Sequence, residues 1–319
     1  MDFSRAVHRS LDDGTEYKLY LCGSCLIEFW HPMKLMPEFY EHARLGIYDD
    51  IHQGLKRIPP HCLNFFEHMP FTAGNLLDVG CGDGVFLSAV TAGDKYRFDA
   101  FGLDFDPKSV EAARSRRGLT HVYALSLEEF HDHSARNSLF FDVITFFDVL
   151  EHQDNPKSFI ETVKALLSPK GGYIAGSVPN AHRLFSRYDR KMSEIDFPPH
   201  HFLYFNGSSL AGLLRREGFR DIRVLPVRLG FSDLTVLLER MCLGRISGLL
   251  RRKITGVRPA AQEGETENPA AVYCGGTIKI MKQLRNAFFA PLAAALFHAY
   301  NRRGPQLYFQ ARLPARQGV

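Results

Sequence analysis

A glycine-rich bend at residues 76–84, with the sequence LLDVGCGDG, carries the clearest chemical signal in the chain. An apolar run ends around Asp78, and Gly80, Gly82 and Gly84 follow at alternate positions before a helical pattern begins. Glycine lacks a Cβ atom, so these positions can take left-handed angles and let the backbone approach a ligand. Because ligands of open α/β sheets bind at the carboxyl ends of the strands, the bend predicts a binding site.

Asp104 follows the next apolar run of the sequence. Its separation from the bend along the chain suits a residue that binds a ribose. A carboxylate about 20 residues beyond such a bend can accept hydrogen bonds from both ribose hydroxyl groups. A dinucleotide fold requires the spacing G-x-G-x-x-G, but here the third glycine comes one residue early and Asp83 lies in the loop. An acidic loop repels a pyrophosphate, yet it tolerates a nucleoside that carries an amino group and a sulfonium. The spacing therefore argues against a nicotinamide oxidoreductase.

Three histidines, His152, His200 and His201, are the candidate catalytic residues. An oxygen nucleophile reacts faster when a general base with a pKa near neutrality removes its proton, and histidine meets that requirement. His200 and His201 follow two prolines, in a segment that we expect at the mouth of the site. The alternatives are structural: Glu151 and His152 shape a loop, while the other two histidines cap a helix or pack against neighbouring aromatic side chains.

Short apolar runs alternate with helical segments from Asn75 onward, which predicts a parallel sheet covered by helices on both faces. Residues 1–50 show no regular pattern, so we expect them to be irregular. Asn206 is a candidate N-cap for one of the helices. The predicted strands cover residues 76–79, 101–103, 122–125, 141–147, 173–178, 222–227 and 306–313. The predicted helices cover residues 85–90, 107–116, 156–167 and 208–217, and one more begins near Pro59 and Pro60.

The composition indicates a globular protein of 319 residues, of which 45% are hydrophobic and 23% are charged. These values exclude a disordered chain, a collagen-like repeat and a coiled coil. The chain contains no uninterrupted run of 18 apolar residues, so a membrane-spanning helix is not expected. The N-terminus lacks the apolar core of a secretory signal, and six cysteines make no disulfide framework. We therefore expect a cytoplasmic protein, with peripheral contact at the inner membrane surface as a further possibility.

The net charge of +4 conceals a strong asymmetry along the chain. Residues 211–319 carry 18 Lys and Arg against 7 Asp and Glu, a balance of +11, whereas residues 1–210 carry a balance of −7. Such a basic third favours contact with an anionic partner: a phosphorylated substrate, a membrane surface or a nucleic acid. A solvated basic face is the alternative. No basic motif interleaved with aromatic residues is present, so nucleic acid is the least favoured partner.

These motifs together resemble the class I S-adenosylmethionine-dependent methyltransferases, and more narrowly the group that includes the ubiquinone-type O-methyltransferases. The resemblance covers about residues 70–227. The implied fold is a Rossmann-like, doubly wound α/β sheet of seven mostly parallel strands, the last one antiparallel. Beyond the bend and Asp104, the resemblance rests on FDVITFFDVLEH at 141–152, LSPKGG at 167–172, VPN at 178–180, and PHHF at 199–202 with the helix that follows.

The resemblance implies S-adenosylmethionine as cofactor, held by ten residues. Asp78 would accept a hydrogen bond near the amino group, and Asp104 would hold the ribose hydroxyls. Phe105 would lie against the adenine, and Phe147 with Asp148 would lie beside the sulfonium. At the adenine edge many relatives carry an acidic residue that this chain lacks, so backbone contacts must serve there. The ten residues are Asp78, Gly80, Cys81, Gly82, Asp104, Phe105, Leu125, Ser126, Phe147 and Asp148.

Two features of the N-terminal segment also resemble relatives. Cys22 and Cys25 are similar to half of a zinc ribbon, but many relatives carry a second such pair that is missing here. A structural zinc site requires four ligands, and His31 would supply only a third. We therefore expect a metal-free remnant and assign no metal ligand, with an upstream start of the chain as the alternative. Tyr40 and Tyr48 resemble aromatic residues that cover the cofactor, with simple packing as the alternative.

We divide the chain into an N-terminal segment at 1–50, a methyltransferase core at 51–227, a helical insertion at 228–304, and a last strand with its tail at 305–319. The insertion joins strands six and seven at the cofactor end of the sheet, where it would act as a lid or a substrate platform. Its run NAFFAPLAAALFHAY, beside several Lys and Arg residues, suits an anionic membrane surface. Helices that pack over the sheet or against a second subunit are the alternative.

The predicted function is methyl transfer from S-adenosylmethionine to a small-molecule, glycan or lipid-linked acceptor, most favourably at oxygen. A methyl sulfonium is intrinsically electrophilic, so positioning a nucleophile in line with it supplies most of the acceleration. The basic, apolar insertion favours an anionic or lipid-linked acceptor. The alternatives are a catalytically silent cofactor-binding module that acts as an interaction protein, and an RNA methyltransferase.

Overall fold

A seven-stranded β-sheet lies at the centre of the protein in a computed structural model, which describes residues 2–10, 14–34, 49–54, 57–186, 190, 196–239, 241 and 275–316. The strands are β1 (Asp2–Arg9), β2 (Glu16–Leu21), β3 (Glu28–His31), β4 (Ala73–Val79), β5 (Arg97–Leu103), β6 (Val122–Tyr123), β7 (Val143–Phe147), β8 (Gly172–Pro179), β9 (Leu203–Tyr204), β10 (Arg220–Pro226) and β11 (Gln306–Leu313). The order across the large sheet is β10-β11-β8-β7-β4-β5-β6. Strand β11 is antiparallel to both neighbours, and the other pairs are parallel. The predicted doubly wound sheet with an antiparallel last strand is confirmed.

The helices alternate with the parallel strands along the chain. Alternate residues of the central strands pack on opposite faces of the sheet, as a strand covered on both sides requires. Leu76 joins one buried cluster, with Phe65 of the second helix, whereas Leu77 joins the other, with Phe159 of the sixth. The helices are α1 (Asp49–His52), α2 (Pro60–His68), α3 (Val85–Thr91), α4 (Pro107–Arg117), α5 (Leu127–Arg136), α6 (Pro156–Leu166), α7 (Gly207–Arg216), α8 (231–239) and α9 (Gly275–Arg302).

Side-chain caps fix where the helices near the carboxyl ends of the strands begin. Asp106 accepts hydrogen bonds from the backbone N–H groups of Lys108 and Ser109, and Pro107 opens α4 at a position that needs no donor. Asn206 accepts from Ser208 and Ser209 at the start of α7, which confirms the predicted cap. These caps hold the chain at the edge of the sheet where a ligand would bind.

The expectation that residues 1–50 are irregular is wrong for the part that the structure describes. Strands β1, β2 and β3 form an antiparallel sheet, and β3 pairs with β9. Alternation along β2 buries Tyr17 and Leu19, which is the pattern of a strand with one face in the core. The backbone N–H of Trp30 also donates to the carbonyl of Phe202 at 2.9 Å. This small sheet therefore anchors the segment that follows His200 and His201.

The insertion between β10 and β11 contains two helices in its described part, α8 and α9. Helix α8 covers residues 231–239, and the apolar residues 288–300 lie inside the 28-residue helix α9. Residues of the two helices pack in a separate buried cluster. No helix among the described residues is long and apolar enough to cross a membrane. Residues 242–274 of the insertion lie outside the described residues.

Candidate functional site

A cavity of about 660 Å³ opens at the carboxyl ends of β4, β5 and β7. Nine of the ten predicted cofactor-binding residues line it: Asp78, Gly80, Cys81, Gly82, Asp104, Phe105, Leu125, Phe147 and Asp148. The tenth, Ser126, has another role, because its side chain caps α5 by accepting from the Glu129 N–H at 3.1 Å. The topology thus brings together residues that are spread over 71 positions of the chain.

The bend at 80–84 takes a conformation that favours glycine. Gly80 and Gly82 have φ angles of 74° and 55°, in the left-handed region. A Cβ atom on Gly80 would come within 2.6 Å of the Val149 Cγ2 atom. The bend therefore lines the cavity with a backbone that has no room for a Cβ atom at Gly80.

Asp104 is joined to the bend by backbone hydrogen bonds. Its Oδ2 accepts from the Gly82 N–H at 2.8 Å, and its Oδ1 accepts from the Asp106 N–H at 2.9 Å. A carboxylate oxygen has further acceptor capacity after one such bond. The carboxylate is held in a fixed orientation at the cavity wall, in the position where a ribose would be expected.

Asp78 is buried behind the bend, and its environment favours the neutral form. Burial raises the pKa of its carboxyl to about 7, and the nearby charge of Asp104 adds to that rise. The hydroxyl of Thr145 donates to Asp78 Oδ1 at 2.7 Å, which opposes the shift. A cationic group in the cavity would favour ionisation, so proton release at Asp78 is coupled to binding of a ligand that carries an ammonium group.

The thiol of Cys81, within the same bend, lies in surroundings that disfavour the thiolate. Burial, with three nearby carboxylates, raises its pKa well above the ordinary value for a thiol. Its Sγ atom packs so closely that a Cβ on Gly102 would lie 2.8 Å from it. The side chain of Cys81 therefore fills space between strands.

The short helix α1 closes one side of the cavity through Ile51. His52 Nε2 lies 2.5 Å from Asp106 Oδ2, and Arg117 donates to the carbonyl of Gly54 at 3.3 Å. Arg117 also pairs with the buried carboxylate of Asp83. The acidic loop residue is thus neutralised by an arginine of α4.

His61 is a site residue that the sequence analysis did not identify. Its Nδ1 lies 2.7 Å from Gln306 Oε1, and its Nε2 lies 3.6 Å from Asp148 Oδ2. Asp148 also accepts from the amide of Gln306 and from the hydroxyl of Ser177 at 2.6 Å. These groups hold Asp148, which has a left-handed φ of 55°, at the place predicted for the sulfonium.

The three predicted catalytic histidines have different surroundings. His201 lines the cavity, and its Nδ1 lies 3.4 Å from Asp196 Oδ1. His152 also lines the cavity, and its Nδ1 lies 2.6 Å from the carbonyl oxygen of His200. The side chain of His200 is buried and does not line the cavity. The rings of His152 and His201 meet edge to face, with centroids 4.7 Å apart.

Asp196 is a second residue that the sequence analysis missed. Arg183 binds its carboxylate in a buried ion pair, and His201 faces its other oxygen. Burial alone would raise the pKa of Asp196, but His201 and Arg183 lower it to about 2, so the group is an anion. By contrast, burial and the neighbouring His201 hold the pKa of His152 well below its ordinary value.

Glu151 lines the cavity and is completely buried. Among the described residues neither of its carboxyl oxygens has a hydrogen-bond partner, and burial raises its pKa well above the ordinary value. Three possible metal ligands lie within 4.8 Å of one another, one atom each from Glu151, His152 and His201. These three residues could therefore hold a metal ion. Burial of Glu151 favours the neutral form of its carboxyl group.

The cavity wall is acidic. Of the lining residues that the structure describes, eight carry carboxyl groups, three are histidines and none is Lys or Arg. The excess of negative charge disfavours an anionic ligand in the cavity and favours a cationic one.

The predicted features of the N-terminal segment that the structure describes, Cys22, Cys25 and His31, do not line the cavity. Cys22 and Cys25 are in the turn between β2 and β3, and the Cys22 Sγ atom lies 3.2 Å from the Ser24 hydroxyl oxygen. Hydrogen bonds from Ser24 and Cys25 lower the pKa of Cys22 to about 7. His31 is at the far end of β3 from this turn. Tyr40 and Tyr48 lie outside the described residues.

Comparison with known proteins agrees with the geometry. A family model described as a methyltransferase domain matches residues 51–224. The ubiquinone biosynthesis O-methyltransferase of Haemophilus ducreyi is 34% identical over 125 residues, which cover 35% of this chain and 52% of that protein. The enzyme of the same name from Actinobacillus pleuropneumoniae is 37% identical over 101 residues, or 30% and 42% of the two chains. The chain spans about half the length of these curated relatives.

A solved structure shares the fold across nearly the whole chain. Phosphoethanolamine N-methyltransferase 2 of Haemonchus contortus, in complex with S-adenosyl-L-methionine, matches 98% of this chain and 72% of its own with a TM-score of 0.50. At 13% identity this likeness concerns the fold alone. Since the family model covers more than half of the chain and the glycine bend lies within it, the chain belongs to the class I S-adenosylmethionine-dependent methyltransferase domain family.

Proposed function

We propose that the protein transfers a methyl group from S-adenosylmethionine to an oxygen atom of a small-molecule, glycan or lipid-linked acceptor, with His201 as general base. The observation that carries this proposal is the position of His201 between the cavity and the anionic Asp196, at 3.4 Å from Nδ1. With Asp196 beside Nδ1, Nε2 is the ring nitrogen that we propose accepts the proton.

The cofactor fits the residues that line the cavity. The bend at 80–84 exposes backbone without side chains, Asp104 presents a fixed carboxylate, and the acidic wall suits a sulfonium cation. When bound, S-adenosylmethionine supplies an electrophilic methyl group and leaves as a neutral thioether. Asp148, held by Gln306 and Ser177, would lie beside the cationic sulfur.

In this proposal His201 accepts the proton that the acceptor hydroxyl loses as its oxygen bonds to the methyl carbon. Asp196 stabilises the imidazolium that results, and Arg183 keeps Asp196 ionised. His152 is the weaker candidate, since its lowered pKa makes it a poor acceptor of protons at pH 7. General base catalysis of this kind contributes about 10²- to 10⁴-fold to the rate.

The acidic side chains of the cavity wall restrict the charge that the reacting end of the acceptor can carry. An anionic reacting end would be repelled by the carboxyl groups of the cavity, so we propose that the reacting end is neutral. A phosphate of a lipid-linked or nucleotide-linked acceptor would then lie outside the cavity. This placement reconciles an acidic cavity with a C-terminal third whose charge balance is +11.

The test uses methyl-tritiated cofactor and a cell extract separated into lipid, glycan, small-molecule and RNA fractions. We expect label in one of the first three fractions and release of S-adenosylhomocysteine. Label in RNA would replace the proposed acceptor class, and cofactor binding without turnover in any fraction would identify a silent binding module.

The proposed role of His201 as general base is tested with the fraction that accepts the label in that experiment. We expect His201→Ala to lower kcat about 100-fold while the dissociation constant for S-adenosylhomocysteine stays within about twofold. His121→Ala is a matched control, because this histidine stacks on Phe101 away from the cavity. Equal effects of His201→Ala on turnover and on cofactor binding would count against a base.

A further inference from the structure

We propose that the outer face of α9 docks the protein onto an anionic lipid membrane. This face comprises Phe288, Pro291, Leu292, Ala295 and Ala299, all of which are exposed. The spacing of three and four residues places them along one side of the helix. Phe288 is 80% exposed, the largest fraction for a large apolar side chain in the described part of the chain, and Leu292 is 46% exposed.

The opposite face of the same helix already has its packing partners. Phe289, Ala293 and Tyr300 are buried against Leu234 and Leu238 of α8. The helix therefore holds its position without burying the outer face. An apolar surface that is not used in folding marks an interaction site more often than a solvated face does.

The positive charges in and beside α9 favour an anionic surface as the binding partner of this face. Residues 275–305 contain five Lys and Arg residues and no Asp or Glu. At the C-terminal end of α9, Arg302 and Arg303 are exposed, and so is Arg228. The chain next to Arg228 adjoins the helix, since the Leu229 N–H donates to Asn301 Oδ1 at 3.0 Å. An apolar helical stripe with cations beside it is the pattern of a helix that lies in the interface of an anionic bilayer.

Other occupants fit the same surface less well. A nucleic acid would be bound through the arginines, but it would leave Phe288 and Leu292 in water. A second copy of the chain would bring the same cations together across a two-fold interface, where like charges repel. A helix that crosses the bilayer is not present among the described residues. The combination of exposed apolar side chains with Arg302 and Arg303 at the end of the helix therefore favours a membrane surface.

The docking face is connected to the cavity. Helix α9 ends at Arg302, four residues before Gln306, which lines the cavity and binds Asp148. Asn180 Nδ2 donates to the carbonyl of Gly304 at 3.0 Å and so fixes the junction. If the proposed function holds, this position would bring the cavity near acceptors that reside in the membrane. The docking itself does not depend on which acceptor is methylated.

Flotation with lipid vesicles tests the proposal on the full chain. We expect the wild type to bind phosphatidylcholine vesicles that contain about 30% phosphatidylglycerol, and to bind pure phosphatidylcholine about tenfold more weakly. Raising the salt concentration to about 0.5 M should weaken binding to the anionic vesicles. The double variant Phe288→Ser, Leu292→Ser should lower the partition coefficient about tenfold or more. Phe140→Ser is the matched control, since Phe140 is a 40% exposed phenylalanine outside the insertion.

Several results would overturn the proposal. One is that the wild type does not float with anionic vesicles. Another is that the double variant floats with them as strongly as the wild type does. Sedimentation of the wild type as a dimer that the double variant abolishes, without vesicle binding, would assign the face to a second copy. Unchanged binding of S-adenosylhomocysteine shows that the double variant is folded. If that variant is unfolded, Arg302→Gln with Arg303→Gln gives a second test, and unchanged binding to anionic vesicles would contradict the proposal.

Discussion

Asp196 lies behind His201, with 3.4 Å between Oδ1 and Nδ1, while Arg183 binds the other carboxylate oxygen. Asp196, Arg183 and His201 form a buried cluster of ionisable side chains at the wall of the cavity. Asp196 precedes His201 by only five residues in the sequence. A base that becomes cationic during the reaction is stabilised by such a carboxylate. In the proposed reaction Asp196 would therefore be a positioning residue that acts through His201.

Asp196→Asn should lower kcat about 10- to 100-fold, because the imidazolium of His201 loses its counter-charge. The asparagine retains the size of the side chain and an oxygen that can accept from Arg183. The measurement is steady-state kinetics together with titration of S-adenosylhomocysteine, whose dissociation constant should change by less than about threefold. Asp221→Asn, at an exposed carboxylate on β10, is the control. A folded Asp196→Asn protein with full turnover would show that His201 needs no carboxylate.

Cofactor affinity should rise with pH up to about 7. Burial raises the pKa of Asp78 to about 7, so below that pH the carboxyl is protonated in the free protein. The cofactor ammonium prefers the carboxylate, so binding at lower pH must release a proton and loses up to about tenfold per pH unit. Calorimetric titrations from pH 5.5 to 7.5, in two buffers of different ionisation enthalpy, measure both the affinity and the released proton. Affinity that does not depend on pH would mean that Asp78 does not face the amino group.

Gly80→Ala should destabilise the fold and weaken cofactor binding together. The left-handed φ of 74° costs a residue with a Cβ atom about 1–2 kcal/mol, and the contact with Val149 adds to that cost. The free energy of unfolding in urea is the measurement. Gly23→Ala is the matched control, since a Cβ there meets no atom within 4 Å. If the two variants were equally stable, the bend would be more adaptable than its geometry indicates.

The central sheet was predictable because its strands are buried on both faces. Runs such as 141–147 are continuously apolar, and a parallel sheet is the structure that buries such runs. The glycine bend and Asp104 were predictable for a related reason, since parallel strands bring their carboxyl ends to one edge. The structure places both at the cavity wall.

Helix α5 was missed although the sequence carries a signal for it. Ser126 and Glu129 have the spacing of a capping box, and the structure shows both of its hydrogen bonds. The same box explains why Ser126 does not line the cavity. The family resemblance predicted that Ser126 contacts the cofactor. In the structure its side chain caps the N-terminus of α5.

Other site residues could not be predicted from local pattern. His61 meets Gln306 across 245 positions of the chain, and no spacing rule connects them. The small sheet of β1, β2, β3 and β9 was missed because β3 and β9 are short and pair across a long separation. Only the alternation in β2, which buries Tyr17 and Leu19, offered a signal.

Calorimetric titration of Asp104→Ala with S-adenosylmethionine tests most directly whether the bend and Asp104 form the cofactor site. The wild type should bind the cofactor, and the variant should lose about 1.5–3 kcal/mol of binding free energy, as expected for hydrogen bonds to a charged group. Asp99→Ala, at an exposed carboxylate of the same strand, should bind as the wild type does. A dissociation constant unchanged by Asp104→Ala would contradict the account.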